Sequence, residues 1–321
     1  MTRSYIGVDL SKDVLDVCDP DRGPARVAND PISLARWLEN LGPEEIVVYE
    51  ATSRCDAPLR AALRQAARPG VRVNPLYAWH FARSLNLAKT DRVDAAMLAR
   101  FGAERRMDPD PDTDPARETL RGLARRRDQL KAMATQEKNR LADGPEPLVA
   151  ADIRAELAGL SARAAGMEAA IAAHLAAHPH LAAADRLLRS IPGVGPTTAA
   201  VLLAHLGELG RVDRRALASL SGTAPRANES GQRRGRRSIG EGRRRVRQAL
   251  YMAALSALRH PGFLADFIRR MKGAGKPGKV IALAVARRLV VIANAVLRTG
   301  EPFRGASRRL TVEPPAPDLH S

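Results

Sequence analysis

The chain has 321 residues, 45% of them hydrophobic, with 52 Lys and Arg against 35 Asp and Glu and a net charge of +17. This length is enough for about two domains with their own cores, and the hydrophobic content excludes a disordered chain. No uninterrupted apolar run reaches the ~18 residues of a membrane span, and Cys18 and Cys55 form no CxxC pair. We therefore expect a cytoplasmic, globular protein with no signal peptide, membrane segment or zinc–cysteine cluster.

The net positive charge comes entirely from the part of the chain after residue 95. Residues 1–95 hold 13 basic and 13 acidic residues, whereas the remainder holds 39 basic and 22 acidic ones. A neutral part joined to a basic part suggests chemistry in the first and binding of a polyanion in the second. A genome rich in G and C would explain the preference for Arg over Lys, but not this asymmetry.

Residues 1–105 alternate strand-like and helix-like segments. Apolar runs predict strands, and amphipathic spacing predicts helices between them. The predicted strands are 6–10, 14–18, 46–50 and 71–73, and the predicted helices are 32–41, 57–67 and 91–101. An antiparallel hairpin followed by alternating helices and strands predicts a layered α/β domain with an RNase H-like arrangement.

Four carboxylates occupy positions that suit metal ligands. Asp9 lies in the first predicted strand, and Glu50 ends the third. Asp91 and Asp94, three residues apart, share one face of a predicted helix. Four such oxygen donors would repel one another unless divalent cations lay between them, and Mg²⁺ is the usual partner. Two ions roughly 4 Å apart can activate water and stabilise the attacking and leaving oxygens of a phosphodiester.

Most of the other acids are interpreted as solvated surface charges. The nearest of these to Asp9 are Asp13, Asp16, Asp19 and Asp21. The histidines form no recognisable metal motif.

Two long helices are predicted after a breaker-rich linker at residues 108–115. Apolar residues near heptad spacing predict these helices over 117–142 and 150–177. The pattern favours an antiparallel coiled-coil arm, and an ordinary packed helical pair stays open as the alternative. Leu157, Leu160 and Met167 are the candidates for a seam through which protomers associate.

The C-terminal part begins with a tight glycine turn. Residues 191–196, Ile-Pro-Gly-Val-Gly-Pro, are typical of a helix-hairpin-helix, whose backbone and following helix can approach a phosphate closely. Nine Arg and two Glu then fall between Arg226 and Arg247, in a stretch that contains the dipeptide Ser-Gly at 230–231. A solvated basic loop is the simpler interpretation of this stretch. Two further helices are predicted over 245–258 and 279–297, before a Pro-rich tail that we expect to be disordered.

Several distinct short motifs are spread along nearly the whole chain. The N-terminal ones are Ile-Gly-Val-Asp at 6–9, Glu-Ala-Thr at 50–52, Asn-Pro at 74–75 and Lys-Thr-Asp-Arg-Val-Asp-Ala at 89–95. The C-terminal ones are Ile-Pro-Gly-Val-Gly-Pro at 191–196, Gly-Thr-Ala-Pro at 222–225, Ser-Gly at 230–231, Leu-Tyr-Met-Ala-Ala at 250–254 and Gly-Lys-Pro at 275–277. In this combination the chain resembles the DEDD-type insertion-sequence transposases of the IS one-ten family, which are bridge-RNA-guided serine recombinases.

The resemblance implies a domain organisation and a set of site residues. The implied domains are a RuvC-like catalytic domain of RNase H fold (1–107), a linker and coiled-coil arm (108–185), a mainly α C-terminal transposase domain with a helix-hairpin-helix-like element (186–305) and a disordered tail (306–321). The implied ligands of Mg²⁺ are Asp9, Glu50, Asp91 and Asp94. Ser230 is the implied nucleophile, and Ser221 and Ser238 are weaker candidates.

The resemblance also implies partners. These are DNA, at the element ends and the target, and a structured non-coding RNA that guides target choice. A dimer or tetramer would build each site from the acids of one protomer and the serine of another. The protein would be cytoplasmic and associated with the nucleoid.

The expected function is Mg²⁺-dependent, serine-mediated cleavage and exchange of DNA strands. The nearest alternative is a RuvC-like, structure-specific DNA endonuclease that uses water, and a covalent protein–DNA adduct distinguishes the two. Residues 7–12, Gly-Val-Asp-Leu-Ser-Lys, also suggest a sugar-kinase-like ATPase, but the only later glycine-rich stretch is laden with arginine. A non-catalytic nucleic-acid-binding protein with decayed acids conflicts with the presence of all four acids.

Overall fold

The computed structural model describes residues 3–51, 55–85, 91–109, 114–225, 229–230, 233–234, 239 and 242–305, with the side chains of 91–93, 229–230 and 233–234 outside the description. The chain divides into two compact units, Met1–Thr113 and Asp114–Ser321. The tail expected to be disordered, 306–321, lies outside the described residues.

The first unit contains one mixed sheet. Its strands are β1 (Ser4–Leu10), β2 (Val14–Asp19), β3 (Gly23–Ala28), β4 (Glu45–Glu50) and β5 (Gly70–Val73). They lie in the order β3-β2-β1-β4-β5. β1, β2 and β3 form an antiparallel meander, which confirms the predicted hairpin, and β4 and β5 continue the sheet parallel to β1. This sheet is compatible with the expected RNase H-like α/β domain.

Helices cover both faces of the sheet. They are α1 (Pro31–Glu39), α2 (Asp56–Gln65), α3 (Pro75–Ser84) and α4 (Asp91–Arg105). α1 and α2 cover one face, in a core that includes Ile6, Val8, Leu34, Leu38, Val47 and Leu59. α3 and α4 cover the other, in a core that includes Tyr5, Val48, Val71, Phe81, Leu98 and Phe101. The sequence therefore folds as three layers, with the sheet in the middle.

Two elements of this unit were not predicted from the sequence. β3, Gly-Pro-Ala-Arg-Val-Ala, is a largely exposed edge strand with no hydrophobic alternation, and its pairing with β2 holds it in place. α3 carries a local start signal that could have revealed it. Asn74 accepts a hydrogen bond from the backbone N–H of Leu76 at 2.9 Å, and Pro75 occupies the first helical turn.

The second unit is mainly helical. Its elements are α5 (Pro115–Ala142), α6 (Pro147–Ala177), α7 (Pro179–Arg189), α8 (Pro196–His205), α9 (Arg214–Leu220), β6 (Glu229–Ser230), β7 (Arg233–Arg234), α10 (Arg244–Arg259), a 3₁₀ turn (Gly262–Leu264), α11 (Ala265–Gly273) and α12 (Gly278–Thr299). Buried residues of α8, α10 and α12 share one core with the N-terminal part of α5 and the C-terminal part of α6. The base of the helical pair is thus part of this core.

The two long helices pack antiparallel on each other. The ring Nε2 of His174 lies 2.8 Å from the carbonyl oxygen of Ala116 near one end of the pair, and Lys131 forms an ion pair with Glu168 at 2.6 Å farther along. Leu160 is only 1% exposed and packs in a small cluster with Leu130 and Ala164, with Met167 packed against it. The seam that contains Leu160 and Met167 therefore lies within one chain, and association of protomers through the arm stays a prediction.

One helix among the described residues, α12, is long and apolar enough to cross a membrane by length and composition, with a mean hydropathy of 2.1. Arg287 and Arg288 interrupt its apolar run, so the sequence pattern did not single it out. Half of the most apolar 18-residue segment of α12 is buried, and Val285, Leu289 and Val290 lie fully inside the core. These contacts are those of a core helix.

Candidate active site

Asp9 and Glu50 lie side by side at the carboxyl edge of the sheet. β1 and β4 are parallel, and the register pairs Val8 with Tyr49. Asp9 and Glu50 are the next residues of the two strands, and neighbouring strands lie about 4.8 Å apart. Both side chains are half-buried. The fold therefore brings together two acids that are 41 positions apart in the sequence.

Both acids face the layer formed by α4. Side chains alternate along a strand, so Asp9 points to the same face as Gly7. Gly7 abuts α4, because a Cβ placed there would overlap the carbonyl oxygen of Ala95. Glu50 likewise shares its face with Val48, which packs in the core beneath α4.

α4 brings Asp94 to the same edge. The helix passes Gly7 of β1 at Ala95, whereas Gly102, farther along, lies against Tyr5 and Val48. α4 therefore runs opposite to β1, and its N-terminal end lies toward Asp9. Asp94, half-buried, directly precedes Ala95. Asp91 begins the helix, and its side chain lies outside the described residues.

A backbone hydrogen bond fixes the orientation of one acid at this edge. Asp9 Oδ1 accepts a hydrogen bond from the backbone N–H of Leu10 at 3.0 Å. One oxygen of this carboxylate is thus held by its own strand. The strand register and the direction of α4 put Asp9, Glu50 and Asp94 on one face toward one edge of the sheet, and their carboxylate oxygens are of the hard type that Mg²⁺ prefers.

The candidate nucleophile lies in the second unit. Ser230 ends the two-residue strand β6 and pairs with Arg233 of β7 in an antiparallel hairpin. Its side chain lies outside the described residues, as does the weaker candidate Ser238. The other weaker candidate, Ser221, is fully buried, and its Oγ lies 2.9 Å from Oγ1 of Thr223. Burial removes Ser221 from contact with DNA.

A second acidic cluster was misjudged from the sequence. Asp19, Asp21 and Glu45 bring carboxylate oxygens within 4.8 Å of one another, at the opposite end of the sheet from Asp9. Asp19 is 5% exposed, so its interpretation as a surface charge was wrong. Arg22 bridges Asp19 and Glu45 at 2.6 and 2.8 Å. Burial alone would raise the pKa of Asp19, but hydrogen bonds from Arg22 and from the backbone N–H of Asp21 hold that pKa below its usual value. This cluster is a structural ion-pair network.

The glycine turn between α7 and α8 has a packing role that the sequence did not reveal. Gly193 has a φ of +92°, and a Cβ there would meet Ala253 O at 3.0 Å and Ala257 Cβ at 3.1 Å. The absence of a side chain therefore lets the turn approach α10. Gly195, which precedes α8, is open to solvent. Of the two glycines expected to approach phosphate, Gly193 packs against α10 instead.

Two family models match the chain. One, described as the Transposase IS116/IS110/IS902 family, matches residues 185–269, and a DEDD-type IS110 model, described as Transposase, matches residues 6–143. Together they span more than half of the chain. The chain belongs to the IS110/IS116 family of transposases. Membership indicates an enzyme that acts on DNA in insertion-sequence recombination, and the DEDD type indicates the use of a divalent metal.

Relatives of this transposase extend along its length. The pilin gene-inverting proteins of Moraxella lacunata and Moraxella bovis are each 29% identical to it, over 94% of this chain and 98% of theirs. A 44.8 kDa protein of insertion element IS116 from Streptomyces clavuligerus is 35% identical over 37% of this chain and 31% of its own. The four candidate acids fall within the DEDD-type match, and Ser230 falls within the other.

Proposed function

We propose that this transposase exchanges DNA strands at a composite site, in which Asp9, Glu50, Asp91 and Asp94 bind Mg²⁺ and Ser230 attacks the DNA backbone. The proposal is supported by the strand register and the direction of α4, which put Asp9, Glu50 and Asp94 on one face toward the carboxyl edge of the sheet. In an RNase H-like, RuvC-like domain this edge would be the catalytic one.

The donor set fits Mg²⁺. Carboxylate oxygens are hard ligands, and several of them grouped at one edge repel one another without a cation. When bound, Mg²⁺ would supply positive charge beside the scissile phosphate and favour the deprotonated form of the attacking hydroxyl. The acids themselves would hold that charge in place. The hydrogen bond from Leu10 to Asp9 would keep the Asp9 carboxylate in a fixed orientation.

Ser230 would carry the covalent step. Its Oγ would lose a proton and form a bond to phosphorus, while the bond from phosphorus to one sugar oxygen breaks and that oxygen leaves with a proton as a hydroxyl. The same bonds would form and break in reverse when the hydroxyl of another strand attacks the serine–DNA phosphodiester. The phosphodiester energy is conserved in the intermediate, so this exchange would need no external energy source.

Several features of the relatives and of the motif pattern support recombination over simple cleavage. The full-length relatives are named for inverting a pilin gene, and an inversion requires strands to be rejoined as well as cut. We further propose that a structured bridge RNA selects the DNA target, and that a dimer or tetramer associated with the nucleoid brings the acids of one protomer to the serine of another. Both the RNA and the shared site are implied by the resemblance to the IS one-ten family.

A covalent adduct tests the serine mechanism. Wild-type protein would be incubated with its guide RNA, target DNA and Mg²⁺, denatured and separated on a gel. We expect a protein–DNA adduct that Ser230→Ala and Asp94→Asn each abolish. Ser256→Ala, at an exposed serine of α10, and Asp13→Asn, at an exposed acid, are matched controls that should retain it.

The same assay separates the proposal from its nearest alternative. A water-using endonuclease would cut DNA without an adduct, and Ser230→Ala would cut at the wild-type rate. Mixing Ser230→Ala with Asp94→Asn should restore part of the adduct if protomers share the site. Full activity in both single variants would refute the composite site.

A further inference from the structure

Arginines from α5 and from the start of α10 converge on the C-terminal end of α8. Arg117 and Arg121 donate hydrogen bonds to the carbonyl oxygens of Leu203 and Ala204, each at 2.9 Å. Arg243 donates to the carbonyl oxygen of the next residue, His205, also at 2.9 Å. Three successive carbonyls at the negative end of a helix dipole are thus bound by three guanidinium groups.

More positive charge lies here than this capping role requires. Arg117, Arg121 and Arg125 follow one another at intervals of four on α5, a spacing at which like charges destabilise a helix. Burial, followed by the nearby charge of Arg211, lowers the pKa of Arg117 despite its ion pair with Asp114. We call Arg117, Arg121, Arg125, Arg211, Arg243 and Arg245 the arginine cluster.

Several acids contact members of the arginine cluster. Arg243 forms a two-pronged ion pair with Glu208, and Arg245 contacts Asp128 at 2.7 Å. Asp128 is shared, because Arg127 also binds it at 2.7 Å. Asp114 lies 3.5 Å from Arg117 and also contacts His180. Asp128 and Asp114 are therefore each divided between two partners.

His205 reports the resulting electrostatic field. Burial, together with the charges of Arg121, Arg245 and Arg125 and against the opposing charge of Asp128, lowers the pKa of its ring from 6.5 to about 4. Its Nε2 is buried without a hydrogen-bond partner among the described residues. Burial is the largest cause of this shift, and the contributions of the three arginines show that the surroundings of the ring are also positively charged.

Two members of the cluster face solvent. Arg125 and Arg211 are exposed, and within the part of the chain that the structure describes neither makes a side-chain hydrogen bond or ion pair. The remaining members are held in place by the carbonyl and carboxylate contacts above. The arrangement has a fixed positive base and two outer guanidinium groups that can each form paired hydrogen bonds with a phosphate.

We infer that the arginine cluster is a phosphate-binding surface that holds the backbone of duplex DNA in the second unit. The inference rests on the proposed function for the identity of the polyanion, since a transposase acts on DNA. Arg243 and Arg245, at the start of α10, belong to the same arginine-rich stretch (226–247) that carries Ser230. A duplex held here would be anchored by residues close in sequence to the proposed nucleophile.

The test compares two double variants with the same change of charge. Arg125→Gln with Arg211→Gln removes the two exposed arginines of the cluster. Arg154→Gln with Arg163→Gln, at exposed arginines of α6, is the control. Binding to a fluorescent duplex DNA of mixed sequence would be measured over a range of salt concentrations. Each lost phosphate contact should reduce the slope of log affinity against log salt by roughly 0.9, so the cluster variant should lose about 2 and the control close to none.

Three outcomes are distinguishable. A reduced slope in the cluster variant alone, with an unchanged melting temperature, supports the surface. Equal losses in both variants would reduce it to a general effect of net charge, and losses confined to a matched RNA duplex would assign it to RNA; either result overturns the inference. The assay needs no cleavage, so it separates this inference from the proposed chemistry: a variant that binds DNA normally but forms no adduct would count against the serine mechanism only.

Discussion

Gly7→Ala should disrupt the candidate active site without touching any of its acids. A Cβ at this position would overlap the carbonyl oxygen of Ala95 and lie 2.5 Å from the backbone nitrogen of Ala99. Ordinary contacts begin near 3.4 Å and the carbonyl oxygen would lie at 1.9 Å, so the backbone of α4 would have to move by about 1.5 Å. Overpacking of this kind costs about 1–3 kcal/mol of unfolding free energy. A 1 Å displacement of a catalytic group can cost roughly 100-fold in rate.

The expected result is therefore a large loss of DNA cleavage with a modest loss of stability. Cleavage would be followed on labelled DNA, and the free energy of unfolding would be measured by urea denaturation. Gly102→Ala is the matched control, because its Cβ would meet the side chains of Tyr5 and Val48 at 2.8 Å, at the other end of the contact between α4 and the sheet. If Gly7→Ala retained wild-type cleavage, or if Gly102→Ala lost as much, then close approach of α4 at Gly7 would not position Asp94.

Three further predictions follow from single contacts. Asp9→Asn should abolish strand cleavage and leave the unfolding free energy nearly unchanged, because it removes one ligand charge from a half-buried carboxylate; cleavage at the wild-type rate in Mg²⁺ would exclude Asp9 from the site. Leu160→Ala should cost about 2–5 kcal/mol in urea denaturation, since this side chain is 1% exposed, whereas Leu148→Ala, at an 84% exposed position of the same helix, should cost close to zero; similar costs would argue against the intrachain seam. The pKa of His205 is lowered from 6.5 to about 4 in the folded protein, so the unfolded chain takes up the proton first as the pH falls. The free energy of unfolding should therefore decline as the pH is lowered from 6.5 to 4. His205→Gln should flatten that decline in thermal unfolding curves recorded across this range.

Much of the first unit could be predicted because its signals are local. The runs that became β1, β2 and β4 are apolar, and β1 and β2 are joined by a short connection, so pattern and pairing agree. The acids Asp9 and Glu50 stood out because each lies at the end of such a run. Their placement on one edge depends on the parallel pairing of β1 with β4, which only the structure shows. The two long helices were equally visible, since heptad-like spacing persists over many turns.

The remaining features depend on contacts between distant parts of the chain. β3 has no hydrophobic pattern of its own and exists because its backbone pairs with β2. Asp19 looks like any surface acid in the sequence, and only the fold brings Arg22 and Glu45 around it. Gly193 serves the approach of α10, which no local pattern reveals.

The sequence by itself determined the chemical type of the site, because the identity of the acids, their positions at strand ends and the family motifs are all local properties. Tertiary structure alone decided which acids lie toward the same edge of the sheet. Gly7 lets the backbone of α4 lie against β1, and this close contact carries Asp94 to the edge where Asp9 and Glu50 end their strands. The arginine cluster has the same origin, since arginines some 125 residues apart in sequence converge on one helix end only when α5, α8 and α10 pack together. Such convergence depends on the closing of long loops by a shared core, which a one-dimensional pattern does not encode.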